Sequence, residues 1–237
     1  MVIFLFSDFN LGGSQKVAIE IFNSLSQTKS GSAILTLKNS GILKNNIKMK
    51  KKIFSLNSSR ALFSFLNLFR FLSKKKPDKI FCTQPHLGLI VYFVNFFLSK
   101  KVKIIVRETN TSKYESFFDV NLKKKIENIL KKFIFNFVDC VVFPSKEISY
   151  KLKSKNIIIP NFVNFEEIKK TKPSLNKNYI LAMGRLTKQK GFDVLINSFI
   201  NIQSKMKQNL FIFGEGEEKN KLCELIKTNN AEKRIKI

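Results

Sequence analysis

The feature that most constrains the fold of this 237-residue chain is a regular alternation of two kinds of segment. Short runs rich in β-branched and aromatic residues are typical of buried strands, and the stretches between them have helical spacing. The predicted strands of the first part are 2–6, 32–37, 51–56, 79–82, 102–108, 139–145 and 156–163. The predicted helices between them are 14–27, 59–73, 87–98, 121–137 and 146–154. Because strands joined by helices pair in parallel and need helices on both faces, the pattern predicts an α/β, doubly wound domain of Rossmann type.

The alternation is interrupted once, at 164–178, where NFEEIKKTKPSLNKN loses the apolar period and gains charge and a proline. We interpret this segment as a linker between an N-terminal domain, 1–163, and a second Rossmann-type domain, 179–237. The second part contains predicted strands 179–184, 209–214 and 234–237, and predicted helices 193–206 and 217–229. About 60 residues cannot cover both faces of a parallel sheet, so we expect this second domain to be incomplete.

The net charge of +26 comes from 43 Lys and Arg residues against 17 Asp and Glu residues. Such a charge ordinarily favours a nucleic acid or an anionic membrane as partner. Lys, Asn, Ile and Phe are all over-used, however, as codons rich in A and T would produce, so part of the charge need not be functional. The Lys residues are scattered and no DNA- or RNA-binding motif is present. We therefore predict no nucleic-acid partner.

The cysteines and the apolar runs indicate a cytoplasmic protein. Cys82, Cys140 and Cys223 lie far apart without metal-ligand spacing, and we predict reduced, mostly buried thiols. The start, MVIFLFSDFN, lacks the basic region and cleavage site of an export signal. The longest apolar run, 87–98, is shorter than the roughly 20 residues of a membrane-spanning helix.

The stretch YILAMGRLTKQKGFDVLINSF, residues 179–199, predicts an anion site. Arg185 follows a predicted buried strand directly, and Lys190 and Gly191 precede a helix in which Asp193 is an N-cap or first-turn residue. In a parallel sheet, ligands bind beyond the carboxyl ends of the strands, close to helix N-termini that favour negative charge. An Arg fork and a Lys point charge together suit a diphosphate. The alternative is that both cations only solubilise a surface turn.

Several motifs resemble one family. AMGRLTKQKGFDVLINSF, followed by LFIFGEGEEKNKL, resembles the donor-binding domain of family-four (group 1) retaining glycosyltransferases, which have the two-domain GT-B fold. FNLGGSQKVAIEIFNSL resembles that family's glycine-rich first loop and helix, and VVFPSKEISYKLKSKNIIIPNFVN resembles its approach to the second domain. The resemblance runs along essentially the whole chain.

The resemblance implies an activity and a set of partners. Enzymes of this family bind a nucleotide sugar in the cleft between two Rossmann-like domains, without a metal or other cofactor. The donor is expected to be a nucleotide-diphosphate sugar, with uridine diphosphate the commoner carrier among bacterial relatives. The sugar is expected to pass, with retention, to a glycan or lipid-linked acceptor in bacterial surface polysaccharide synthesis.

The resemblance also implies roles for individual residues. Arg185 and Lys190 would neutralise the leaving diphosphate. Gly12 and Gly13 would let the first loop approach the phosphates, although a tight turn ahead of a helix capped by Ser14 is the alternative. The remaining implied substrate-binding residues are Glu108 and Asn110 in VRETNTSKY, Asn161 in IIIPNFV, and Glu215 in GEGEE.

His86, the single histidine, follows the strand 79–82 and is implied as a catalytic contact to the donor sugar. Its alternative is a partly buried structural imidazole. Asn161 has an alternative too, as a turn-forming residue after Pro160. An ion pair between Arg107 and Glu108 is not expected, because adjacent residues of a strand face opposite sides.

One departure from the family pattern limits the expected activity. The family's donor domain continues with a Glu, seven residues and a second Glu, whose carboxylates hold the sugar and the ribose, and this segment is not present here. Loss of such positioning would leave little transfer. We therefore expect either a truncated transferase or a catalytically inactive anion-binding or membrane-associated remnant.

Two basic, aromatic segments, 60–79 and 122–137, predict a second kind of contact. Helices of this composition can lie on an anionic leaflet, where each Lys adds about 1 kcal/mol. Peripheral association with the inner face of the plasma membrane is therefore an expectation. The alternative is two core-facing helices, each with a solvated Lys face.

Overall fold

The computed structural model describes residues 1–10, 12–26, 31–58, 62–108, 122–149, 152–161 and 179–237. The chain divides into two compact units, Met1–Val163 and Asn164–Ile237. The predicted linker, 164–178, lies outside the described residues, as does Asn110.

The N-terminal unit is built on a seven-stranded parallel sheet. Its strands are β1 (Val2–Phe6), β2 (Ser32–Thr36), β3 (Ile53–Ser55), β4 (Lys79–Cys82), β5 (Lys103–Arg107), β6 (Cys140–Phe143) and β7 (Lys155–Ile158). They lie in the order β3-β2-β1-β4-β5-β6-β7. Val2 pairs with Ser32 of β2 on one side and with Lys79 of β4 on the other. The strands up to β3 are therefore added on one side of β1, and the strands from β4 onward on its other side. This makes the carboxyl ends of β1 and β4 the switch point where ligands bind in open α/β sheets.

Helices cover both faces of this sheet. They are α1 (Gly13–Ser26), α2 (Phe65–Lys75), α3 (Pro85–Phe97) and α4 (Leu122–Phe137). Along β1, Phe4 and Phe6 face the core shared with α1, whereas Ile3 and Leu5 face the core shared with the other three helices. This alternation is the period of two that places neighbouring strand residues on opposite faces. The predicted doubly wound architecture is confirmed.

One predicted helix is wrong. The described residues of 146–154 form turns instead, in which the Ser149 amide and hydroxyl both donate to the Lys146 carbonyl. Ser side chains that bond to nearby backbone groups compete with helix formation. The other predicted helices of this unit form, with ends shifted by a few residues.

The C-terminal unit contains a three-stranded parallel sheet in the order β10-β9-β8. Its elements are β8 (Tyr179–Met183), α5 (Phe192–Ile202), β9 (Asn209–Phe213), α6 (Lys219–Thr228) and β10 (Ile235–Lys236). Both helices pack on one face, where Ile196, Leu210 and Leu222 are buried. On the opposite face, the side chains of Leu181, Met183 and Phe213 are exposed.

Candidate functional site

The turn after β8 holds the two cations predicted to bind an anion. A short 3-10 helix, Lys188–Lys190, connects Thr187 to Gly191, and the Lys190 amide donates to the Thr187 carbonyl at 2.9 Å. Gly191 has φ of 63°, a left-handed conformation that strongly favours glycine, and α5 begins at the next residue. The turn thus leads from the carboxyl end of a strand into the N-terminus of a helix, an arrangement suited to anions. Asp193 lies in the first turn of α5, which is one of the two positions predicted for it.

Arg185 and Lys190 lie five residues apart on this one turn. Both side chains are exposed, and within the described part of the chain neither makes a hydrogen bond or an ion pair. The Lys190 Cδ atom lies 3.9 Å from the point that a Cβ on Gly184 would occupy, so its aliphatic stem passes the residue directly before Arg185. Two unneutralised cations on one turn can bind a diphosphate without first breaking an internal contact.

A second loop, between β9 and α6, fixes the backbone around Arg185. The Gly184 amide donates to the Phe213 carbonyl at 3.0 Å, and the Leu186 amide donates to the Glu215 carbonyl at 3.0 Å. The loops approach so closely that a Cβ on Gly214 would lie 1.8 Å from the Gly184 carbonyl oxygen. A Cβ on Gly216 would lie 2.3 Å from the Leu186 carbonyl oxygen. Sequence reasoning missed this role, for which the Gly-Glu-Gly sequence after β9 was the available signal.

Glu215 takes part through its backbone more than through its carboxylate. Its side chain is exposed and forms an ion pair with Lys219 one helical turn later, at 2.8 Å. The structure gives this carboxylate no ion pair with Arg185 or Lys190, both of which are described.

The carboxyl ends of β1 and β4 bring together three polar side chains. The Ser7 hydroxyl donates to Gln84 Oε1 at 2.6 Å, and Ser7 Oγ lies 3.2 Å from His86 Nε2. Since the hydroxyl proton points to Gln84, the hydroxyl oxygen is available to accept from an Nε2–H group. His86 is exposed in the first turn of α3, so its partly buried alternative does not hold. Ser7 and Gln84 were missed because neither belongs to the motifs of the sequence pattern.

Gly12 and Gly13 precede and begin α1, on the loop that follows β1. A Cβ on Gly13 would meet nothing within 4 Å, and one on Gly12 would meet only the Gln15 side chain. Packing within the protein therefore does not require a glycine at position 13. The space beside Gly13, at the N-terminus of α1, is open. The alternative in which Ser14 caps this helix is wrong, because Ser14 lies inside α1 and its hydroxyl donates to Gln15 Oε1.

Gly41 supports the same loop, and sequence reasoning missed it. It has φ of 121°, and a Cβ there would lie 2.2 Å from the Phe9 carbonyl carbon. The Phe9 amide donates to the Ser40 carbonyl at 2.8 Å. Close backbone contact thus holds the segment between β1 and α1 against the segment after β2.

The residues at the end of β5 face opposite sides, as predicted. Arg107 is buried, and its Nη2 donates to Asn161 Oδ1 at 2.6 Å, across β6. Glu108 is also buried, and its Oε2 lies 3.0 Å from the Nζ of Lys131 on α4. Burial lowers the pKa of Arg107. Arg107, Glu108 and Asn161 therefore stabilise the carboxyl edge of the sheet. Lys131 is a partner of Glu108 that sequence reasoning missed.

The described residues contain no group of three or more His, Cys, Asp or Glu side chains placed to hold a metal ion. The three cysteines are free. Cys82 is buried, which raises the pKa of its thiol, but Cys140 is half-buried and Cys223 is exposed on α6. The expectation of mostly buried thiols is thus wrong for Cys223, because it lies on the outward side of an amphipathic helix.

Comparison with known proteins finds similarity to glycosyltransferases. Residues 163–237 match the family described as glycosyl transferases group 1. An uncharacterized glycosyltransferase of Methanocaldococcus jannaschii is 30% identical over 191 residues, 71% of this chain and 47% of that protein. The amylovoran biosynthesis glycosyltransferase AmsD of Erwinia amylovora is 27% identical over 243 residues, 96% of this chain and 65% of that protein. These matches support the group 1 glycosyltransferase family, of GT-B type.

Solved structures agree with the GT-B fold. HepE of Anabaena, determined with UDP and glucose, has a TM-score of 0.75 and 14% identity, over 99% of this chain and 68% of its own. The chain spans about half to two thirds of the length of the curated relatives it matches.

Proposed function

We propose that this protein binds a UDP-sugar and transfers the sugar, with retention, to a glycan or lipid-linked acceptor in bacterial surface polysaccharide synthesis. The donor proposal is supported by HepE, which was determined with UDP and glucose. The polysaccharide proposal is supported by the similarity to the amylovoran enzyme. The chemistry requires no metal, because protein cations take the charge of the leaving group.

The turn after β8 is the observation that carries this proposal. Arg185 and Lys190 lie on one turn, exposed and without internal partners among the described residues, at the carboxyl end of a parallel strand. The diphosphate binds there, with the Arg fork on two oxygens and the Lys ammonium as a point charge. As the bond between sugar and diphosphate breaks, negative charge grows on the leaving group and these cations stabilise it.

The N-terminal unit supplies polar contacts to the sugar and the acceptor. His86 contacts the donor sugar through its exposed ring, while Ser7 fixes the ring's orientation. The open space beside Gly13 admits part of a ligand at the N-terminus of α1. Glu108 and Asn161 act less directly, by fixing the end of β5 through Lys131 and Arg107. Asn110 and Glu215 remain candidates for substrate contact.

A transfer assay tests this proposal. The full chain is incubated with radiolabelled UDP-sugars and a bacterial lipid extract, and labelled lipid is counted. The double variant Arg185→Ala/Lys190→Ala is expected to lose about a hundredfold or more in transfer rate, because two charge-assisted contacts to the leaving group are removed.

The matched control for this assay is Lys205→Ala, which removes an exposed positive charge just beyond the far end of α5. It is expected to change the rate less than twofold (about the usual effect of an exposed surface substitution). Equal losses in the control and the double variant would show that general charge, rather than the turn after β8, supports transfer. Absence of transfer with every UDP-sugar would refute the proposed donor.

A further inference from the structure

Arg107 is a buried cation of the N-terminal unit that no described carboxylate neutralises. Its side chain ends β5 and the residue is 1% exposed. Among the described residues it makes one hydrogen bond, from Nη2 to Asn161 Oδ1, and no ion pair. Its Nη1 is buried as well and has no hydrogen-bond partner in the described part of the chain. Buried donors are normally paired and buried charges compensated, so this unused donor requires a reason.

The neighbouring carboxylate does not supply the missing counter-charge. Arg107 is paired in register with Val142 of β6, which belongs to the core shared with α1, so Arg107 lies on that face of the sheet. Glu108 faces α4 instead, where its Oε2 lies 3.0 Å from the Lys131 Nζ. Burial lowers the pKa of Arg107, but a guanidinium stays charged at neutral pH. A positive charge is therefore held on the α1 face at the carboxyl end of β5.

Arg234, in the C-terminal unit, shows how a structural guanidinium is satisfied in this protein. Its Nε donates to Asn209 Oδ1 at 2.9 Å. Its two Nη atoms donate to the backbone carbonyls of three residues, Gln203, Met206 and Gln208. Both Arg residues thus contact one Asn side chain, but Arg234 uses both Nη atoms and Arg107 uses only one. Support of the backbone, as at Arg234, does not account for the unused donor of Arg107.

Asn161 is the cover of this buried guanidinium. Asn161 is exposed, whereas the Arg107 side chain that it contacts is buried, so the contact lies toward solvent. Within the described ranges, the Asn161 side chain makes no second hydrogen bond. A rotation of this side chain therefore exchanges one hydrogen bond for bonds to water and uncovers the guanidinium.

We infer that Arg107 binds a pair of anionic oxygens on the acceptor after the Asn161 side chain turns away. Nη1 and Nη2 then donate two parallel hydrogen bonds, the arrangement that phosphate and carboxylate groups favour. In the free protein the uncharged Asn161 oxygen occupies the place of one of these two oxygens. The site lies at the carboxyl end of a parallel strand, where open α/β sheets bind ligands. Assigning the anion to the acceptor rests on the proposed function, in which Arg185 and Lys190 bind the diphosphate of the donor.

Nuclear magnetic resonance of isotope-labelled arginine tests the inference. The chain contains only five Arg residues, so the signals are few, and the one that Arg107→Met removes belongs to Arg107. The protein is the full chain carrying Arg185→Ala/Lys190→Ala, so that the turn after β8 does not contribute. Inorganic phosphate or glucuronate is titrated in the millimolar range at constant ionic strength. We expect a saturable shift of the Arg107 signal.

The sharpest variant removes the cover and keeps the cation. Asn161→Ala is expected to bind the anion about fivefold more tightly, because no hydrogen bond has to be broken first. A purely structural Asn161 would give no such gain. Asn209→Ala is the matched control, since it removes the other exposed Asn that accepts from an Arg, and it should change the affinity less than about twofold.

A second pair of variants tests the cation itself. Anion binding raises the thermal unfolding midpoint, which can be measured without an Arg107 signal. Arg107→Met should abolish this rise, whereas Arg70→Met, the same change at an exposed position, should leave it intact. Circular dichroism checks that each variant is folded, and Asn161→Ala keeps the test decisive if Arg107→Met does not fold.

The two anions distinguish the sources of the charge. Tighter binding of phosphate identifies a phosphorylated acceptor, and tighter binding of glucuronate identifies an acidic sugar. An Arg107 signal that neither anion shifts, unchanged or weaker binding in Asn161→Ala, or equal losses in Arg70→Met would overturn the inference. Anion binding at Arg107 without UDP-sugar transfer by the wild-type chain would refute the proposed function and leave the anion site standing.

Discussion

Glycine at 214 is the residue on which the geometry of the turn after β8 most depends, and its replacement by Ala is a sharp test. The added Cβ would lie 1.8 Å from the Gly184 carbonyl oxygen. Ordinary carbon–oxygen contacts are about 3.3 Å or longer, so one loop must move by about 1.5 Å. The flexible end of a side chain could move aside at little cost, but here the obstacle is backbone.

The expected cost follows from these contacts. Overpacking of this kind costs about 1–3 kcal/mol, and weakening the bond from the Leu186 amide to the Glu215 carbonyl adds about 1 kcal/mol. We expect Gly214→Ala to lower the free energy of unfolding of the C-terminal unit by about 2–4 kcal/mol. With a urea dependence of about 1–2 kcal/mol/M, the midpoint falls by about 2 M.

Urea unfolding followed by circular dichroism measures the midpoint, and hydrogen exchange of the Gly184 and Leu186 amides reports on the two loops. Gly13→Ala is the matched control, since its Cβ meets nothing within 4 Å and helical Ala is favourable by about 0.4–1 kcal/mol. An unchanged midpoint and unchanged exchange in Gly214→Ala would refute the claim that close loop contact fixes the backbone around Arg185.

Two further predictions concern buried groups. Glu108→Gln leaves the ammonium of Lys131, whose side chain is only 16% exposed, without its carboxylate, and should lower the free energy of unfolding by about 2 kcal/mol in urea titrations. The matched change Glu217→Gln, at an exposed position, should alter it by less than about 0.5 kcal/mol. Equal effects of the two changes would contradict the role of burial. Cys223 should react with a thiol reagent in the native protein within minutes, and Cys82 only after unfolding, because burial shields the Cys82 thiol and raises its pKa. Mass spectrometry of labelled peptides measures both reactions, and equal rates in the native protein would contradict this expectation.

The parallel architecture could be predicted because strands buried on both faces are short continuous apolar runs, whereas the helices between them repeat their apolar residues every three or four positions. β1 is such a run, since Phe4 and Ile3 face different cores and both are buried. The predicted helix at 146–154 failed because the amide and hydroxyl of Ser149 both bond to the nearby Lys146 carbonyl, which apolar spacing does not reveal. Element ends were uncertain by a few residues for the same reason.

The candidate site was only partly accessible to sequence reasoning. Arg185 and Lys190 could be found because they lie close together in the chain, between a strand and a helix. Ser7 and Gln84 lie 77 positions apart and meet only because β1 and β4 are neighbours in the sheet. Likewise, the contact of Gly214 with Gly184 depends on how two loops pack, which no local pattern encodes.

The central claim is that Arg185 and Lys190 bind the diphosphate of a nucleotide sugar, and titration calorimetry with UDP and UMP tests it most directly. UDP carries the additional phosphate, so the wild-type chain should bind UDP at least about tenfold more tightly than UMP, a difference of about 1.4 kcal/mol. In Arg185→Ala/Lys190→Ala this ratio should fall to about one, with UMP binding little changed. A ratio that stays the same in the double variant, or a wild-type chain that does not distinguish the two nucleotides, would contradict the account.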